Sequence, residues 1–248
     1  MSAVFLPALP ATIVANNADA NAPASRVLLD EPGLVARAPG TLSLTFDMGG
    51  AAFNSVAAIG NNLTSDQTIR VRVGSALDMS GGVVLDVTVP AWSGIPPVGK
   101  AISYIPLPST YTARYVRVDL QSGGTGTVEV SRVIVGKRIE VDGIDNNAQK
   151  TPTSGSTVDD GPGWTTVGEA RTRLKWQANV GNIARDSFYR EWSPFLFNMG
   201  KHNAFLFIPQ TESDGIQVEA ALVRNADDPK TVDVTSERFR VEMTLFEV

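Results

Sequence analysis

The sequence predicts a mainly β protein: an N-terminal antiparallel β-sandwich or jelly roll, then a C-terminal α+β domain built from an antiparallel sheet and one short helix. Three observations predict it. Apolar and polar residues alternate repeatedly through the first 140 positions, Gly- and Pro-rich turns separate the alternating runs, and helical spacing is confined to one stretch after residue 185. The length of 248 residues suits two compact domains, and 43% hydrophobic content supplies a core.

Taken in order, Met1 to Val14 is apolar but interrupted by Pro7 and Pro10, so it reads as an extended arm or first strand lying on its own body or on a neighbour. It has no cation ahead of the apolar run, so a secretory signal is not expected. Leu42, Leu44 and Phe46 alternate with Ser43, Thr45 and Asp47; Ile69, Val71 and Val73 with Arg70 and Arg72; Val116, Val118 and Leu120 with Arg117 and Asp119. Period two with polar partners means half-buried strands. Val83, Leu85, Val87 and Val89 form a further face, and Val128 to Val135 another. Met48-Gly49-Gly50, Ser80-Gly81-Gly82 and Pro96-Pro97 mark turns between them, with Gly123-Gly124-Thr125-Gly126 as a hairpin tip.

Residues 1–140 therefore form the sandwich with its arm. Residues 141–163, rich in Gly, Asp, Asn, Ser, Thr and Pro, form a linker or long loop, and 164–248 form the second domain. There, Leu174, Trp176 and Ala178 share a face while Arg171, Arg173, Lys175 and Gln177 point the other way. Asp186 is placed to cap a helix whose Phe188, Trp192, Phe195 and Leu196 make one buried stripe; Pro194 is expected to kink or end it, and Gly200 to terminate it. Phe205 to Ile208, Ile216 to Val223 and Phe239 to Val248 complete the pattern as strands.

Composition excludes much chemistry. Without cysteine and with one histidine, the chain cannot build thiol redox centres, disulfides or Cys/His zinc sites. A net charge of -5 without a basic run argues against sequence-specific nucleic-acid binding. Residues 1–140 are charge-balanced, so the whole excess of acid falls after them. No run approaches the roughly 20 apolar residues of a membrane span. No cofactor and no metal are expected.

The stretches Leu42 to Gly74, Ala113 to Leu120 (ARYVRVDL) and Val128 to Gly136 (VEVSRVIVG) resemble the discoidin-like, or galactose-binding-like, jelly-roll family over about Arg26 to Lys137. The ligand loops of that family vary freely, so the resemblance assigns no binding residue. The order of elements in the second half, with its last strand FRVEMTLFEV, resembles the tube-forming domains of tailed-bacteriophage tail-tip and baseplate proteins, among them distal tail proteins. That resemblance implies a non-enzymatic structural protein of the virion tail, made in the host cytoplasm. It would self-assemble into a ring of three- or six-fold symmetry with other tail or baseplate proteins and present the sandwich outside.

The candidate chemistry is sparse. His202, in a loop at the helix end, has no GxSxG nucleophile motif to serve. Asp142 with Asp145, and Asp159 with Asp160, lie where no rigid frame holds paired acids for glycosidase work. Asp142 to Asn147 offers oxygen ligands to calcium but departs from the EF-hand pattern, and Asn62-Leu63-Thr64 fits a glycosylation sequon. Trp92, on a Pro- and Gly-rich loop, can stack on a sugar, plug a neighbour's pocket or cap its own sandwich. Outward Arg70, Arg72 and Arg117, with Trp92, are candidate contacts for a host surface glycan or a partner's acids; Arg171, Arg173, Lys175 and Phe246 are the candidate assembly surface. The alternative to the structural reading is thus a carbohydrate-binding module recognising a host surface glycan.

Overall fold

The structure, a computed structural model, describes residues 2–142, 144, 149–154, 157–162, 164–168 and 172–248. Strands in chain order are β1 (Ala3–Pro7), β2 (Thr12–Asn16), β3 (Ala36–Pro39), β4 (Thr41–Asp47), β5 (Phe53–Asn61), β6 (Thr68–Gly74), β7 (Val83–Pro90), β8 (Ala101–Tyr111), β9 (Tyr115–Gln121), β10 (Thr127–Val130), β11 (Arg132–Gly136) and β12 (Ile139–Val141). Then follow β13 (Gln149–Ser154), β14 (Thr157–Gly161), β15 (Trp164–Gly168), β16 (Thr172–Ala184), β17 (Phe205–Ile208), β18 (Ala221–Asn225), β19 (Lys230–Thr235) and β20 (Arg238–Glu247). The chain divides into two compact units. One holds Met1–Asp142 and Phe205–Leu222, the other Gly143–Ala204 and Val223–Val248.

The first unit is an antiparallel β-sandwich. One sheet runs β2-β4-β9-β6-β7, the other β11-β5-β8, and β10 pairs with β3. The alternation read from the sequence is the cause: Leu42, Leu44, Phe46, Ile69, Val71, Val73, Val116, Val118 and Leu120 all turn inward and are buried. They meet Phe53, Val56, Ile105 and Leu107 from the opposing strands. Val128 to Val135, expected as one strand, is two. Ser131 breaks it, its hydroxyl donating to the Pro32 carbonyl at 2.9 Å, so that β10 serves β3 and β11 serves β5. Gly123 to Gly126 joins β9 to β10, which lie in different sheets, so it is a turn between sheets and not the tip of a hairpin.

The N-terminal arm docks on its own unit. β1 pairs antiparallel with β12 and with β17, Leu9 N–H donates to Val135 O at 3.0 Å, and Ala3 to Leu6 have no exposure. Gly136 makes this approach possible, because an added Cβ would sit on the Pro7 carbonyl oxygen. Phe5 packs against Phe207 and Phe205, with ring centroids 5.1 and 6.2 Å away. Phe205–Leu222, expected with the second domain, is therefore part of the first unit. Within it, Ile216 to Val223 is not one strand: Ile216–Glu219 is a short helix, followed by β18.

In the second unit β20 is flanked by β16 on one side and by β18 and β19 on the other, and β13 extends the sheet beyond β16. Trp176, Ala178 and Val180 of β16 are buried with Val241, Met243 and Leu245 of β20. The stretch expected as a linker carries β13 and β14; its polar residues form strands because β16 and β15 supply the hydrogen-bonding ladders that composition could not. The helix is present over 185–199, with Phe188, Trp192 and Phe195 buried as expected; Leu196 is only half-buried, and Met199, one turn after Phe195, completes the stripe instead. Asp186 makes no cap bond. Pro194 does not end the helix. It lies inside the continuous helix, and the preceding Phe188–Trp192 widens into a π-helical turn, the local adjustment that accommodates its missing N–H. Gly200, at φ 43°, terminates it as expected. No helix among the described residues is long and apolar enough to cross a membrane.

Candidate functional site

The outward face of the β2-β4-β9-β6-β7 sheet brings three of the expected contacts together. Strand parity puts Ser43 on β4, Arg117 and Asp119 on β9, and Arg70 and Arg72 on β6 on one side, opposite the buried apolar rows. Register sets Arg72 directly across from Arg117, and Arg70 and Ser43 on either side of Asp119. Two arginines facing each other would repel. Asp119 resolves this: its Oδ2 accepts from Arg72 Nη2 at 2.7 Å and its Oδ1 from Arg117 Nε at 2.9 Å, while Arg117 Nη2 reaches Ser43 Oγ at 3.3 Å. Asp119 is only 3% exposed. Burial pushes its pKa up, but hydrogen bonds from Ser43, Arg117 and Arg72 outweigh that and hold the carboxyl below its ordinary value.

Beside this cluster, Arg70 forks onto Asp86 of β7, Nε to Oδ1 at 2.7 Å and Nη2 to Oδ2 at 2.5 Å. The Asp86 pKa is lowered by that hydrogen bond. Tyr115 lies on the same face of β9, but Arg114, itself bonded to Asp47, sits over its ring at 5.2 Å. The face thus carries paired guanidinium, carboxylate and hydroxyl groups, and the Tyr115 ring on it is already covered by a cation.

Trp92 is elsewhere. It packs against the sandwich core from the end of β7, and its indole N–H donates to Leu63 O at 2.8 Å, the arrangement of a residue capping its own sandwich. Asn62, the sequon asparagine, is engaged through both side-chain atoms: Nδ2 donates to Thr127 O and Oδ1 accepts from Glu129 N, each at 2.8 Å. His202 is exposed in the turn after Ser193–Met199. Of the expected assembly residues, Lys175 lies directly across from Phe246, whose ring has the Arg173 guanidinium 5.9 Å away; Arg171 lies outside the described residues. The Asp142 to Asn147 run also falls largely outside them, and no group of acids or histidines among the described residues is placed to hold a metal.

Sequence reasoning missed Asp119, Asp86 and Ser43. The signal for Asp119 was present, since it follows Arg117 by two in one strand and so shares its face. For Asp86 and Ser43 it lay in cross-strand register, which one strand cannot reveal.

No family model matches the sequence, and no curated protein matches it. Solved structures similar to part of the chain include the CBM32 of AlyQ in complex with 4,5-unsaturated mannuronic acid (21% identity over 53% of this chain and 96% of that one, TM-score 0.35). Another is CpGH89CBM32-6 of Clostridium perfringens (12% identity, 52% and 92%, TM-score 0.36). A Ruminococcus gnavus GH29 fucosidase in complex with fucose matches at 12% identity over 46% of this chain, with TM-score 0.36; the chain spans only 22% of that enzyme. Several of the similar structures are carbohydrate-binding modules, and none of these three is a phage tail or baseplate protein.

Proposed function

We propose that this protein is a non-catalytic binding protein that recognises a glycan on the outward face of the β2-β4-β9-β6-β7 sheet. One observation carries the reading: Arg72 and Arg117 are locked onto the two oxygens of the nearly buried Asp119 on a face lined by Ser43, Arg70 and Asp86. Sugar hydroxyls both donate and accept, so they are held best by planar polar groups whose geometry is set in advance. Here the cost of ordering these side chains is met by folding, so binding does not have to meet it again. The reading rests on this face; the likeness to the solved structures is one of fold alone.

A glycan array followed by calorimetry tests it. Arg117→Ala is expected to weaken binding by about tenfold or more, while Trp92→Ala binds as the parent does. Retention of no glycan at millimolar concentration overturns the proposal, and loss of binding in Trp92→Ala with none in Arg117→Ala moves the site to the loops. Assembly within a phage tail is a second reading, behind which stands the clustering of Arg173, Lys175 and Phe246. Rings of three- or six-fold symmetry in images of the purified protein would favour it.

A further inference from the structure

On the outward face of the β2-β4-β9-β6-β7 sheet, what a ligand meets is set by which charges reach solvent as much as by how many there are. Four arginines and three aspartates pair on it: Arg70 with Asp86, Arg72 and Arg117 with Asp119, and Arg114 with Asp47. Three carboxylates against four guanidiniums leave one positive charge over. Exposure decides where it is felt. At the β7 end the side chains of Arg70 and Asp86 are 37% and 41% exposed, so cation and anion are presented equally. On the β9 and β4 side they are not: Arg114 is 62% exposed against 16% for Asp47, and Arg117 30% against 4% for Asp119. Register places uncharged Ser43 and Thr45 of β4 across from Asp119 and Arg117. Asp78, in the turn between β6 and β7, directs its carboxylate to Ser80 N and Oγ, at 3.0 and 2.7 Å.

Donors remain on the side where the cations are exposed. Arg114 directs Nε and Nη2 to Asp47 Oδ2, at 3.0 and 2.9 Å, and Arg117 directs Nε to Asp119 Oδ1 and Nη2 to Ser43 Oγ. Among the described residues, the Nη1 of neither arginine has a partner. Both guanidiniums border Tyr115, Arg114 from over its ring and Arg117 from two residues along β9. We infer that Arg114 and Arg117 select an acidic glycan, one whose sugar rings carry carboxylates, and hold a ring carboxylate beside Tyr115. The inference rests on the glycan reading and deepens it, since the same face could bind a neutral sugar through hydroxyls alone. A carboxylate gains more than a hydroxyl here. It accepts charge-assisted bonds, and it meets cations whose own counter-ions are largely withdrawn from solvent.

The experiment is a glycan array carrying uronic-acid glycans beside their carboxyl-methylated counterparts, with calorimetry on the best binder at two salt concentrations. The acid is expected to bind about tenfold more tightly than its methyl ester at about 50 mM salt. That ratio should shrink at about 500 mM, where the screening length falls to about 4 Å. Arg114 is the most exposed of the four arginines, so Arg114→Gln should fold as the parent does and lower the acid-to-ester ratio about threefold or more. Arg114→Lys, which keeps the charge, should retain the larger part of the ratio. An ester bound as tightly as its acid overturns the inference and leaves the glycan reading standing. So does a preference for the acid that high salt does not reduce, or that Arg114→Gln and Arg117→Gln both leave untouched. Retention of neither form of any glycan overturns both.

Discussion

Asp119 and Trp92 stabilise the sandwich by different means, one through an ion network and one through packing. The folded-state pKa of Asp119 is depressed, so its ion network stabilises the protein above the ordinary carboxylate value of 3.8 and loses that contribution as pH falls through the folded-state value. Urea unfolding at pH 7 and near pH 3 should show the loss, and Asp119→Asn should remove that part of the pH dependence. The same change turns one of the two acceptor oxygens into an NH2 donor and removes the charge between Arg72 and Arg117, at a cost of about 2 to 3 kcal/mol at neutral pH. Trp92→Ala removes a half-buried ring and its bond to Leu63 O, and about 3 kcal/mol of stability is expected to go with it, read as a lower denaturation midpoint.

Elements are decided by what each strand finds beside it. β13 and β19 are polar strands that exist because β16 and β20 supply their ladders, and Ser131 divides an apolar run because the Pro32 carbonyl offers its hydroxyl a partner. β1 depends on Gly136: Gly136→Ala drives a methyl into the Pro7 carbonyl, and about 2 to 3 kcal/mol of destabilisation should appear with faster proteolysis of the N-terminal strand. The Gln217 amide completes the edge of β8 as a strand would, so Gln217→Ala should speed hydrogen exchange at Ile102 and cost about 1 to 2 kcal/mol.

At the scale of the molecule, the first unit is closed by a segment remote in sequence. β17 pairs with β1 through Val4↔Ile208 to Pro7↔Phe205 and places Phe205 and Phe207 against Phe5. A fragment ending at Asp142 therefore keeps the whole sandwich alternation yet leaves Phe5 and Leu6 without their cover. It should bind an apolar dye and melt well below the intact chain. An equally cooperative and equally stable fragment would show that residues 205–222 decorate the unit rather than complete it.

The alternation of apolar and polar residues by itself determined the sandwich, its inward rows and the outward position of Arg70, Arg72 and Arg117, because a strand's side chains point to opposite faces whatever lies beside it. Gly200 and the Phe188, Trp192 and Phe195 stripe were legible for the equivalent reason in a helix. Tertiary structure alone decided that Asp119 sits between two arginines, that Trp92 turns inward, that the arm lies on its own unit and that residues 205–222 return to the first unit. Those features depend on which strand pairs with which and in what register, and pairing joins residues far apart in the chain through backbone groups that every residue shares.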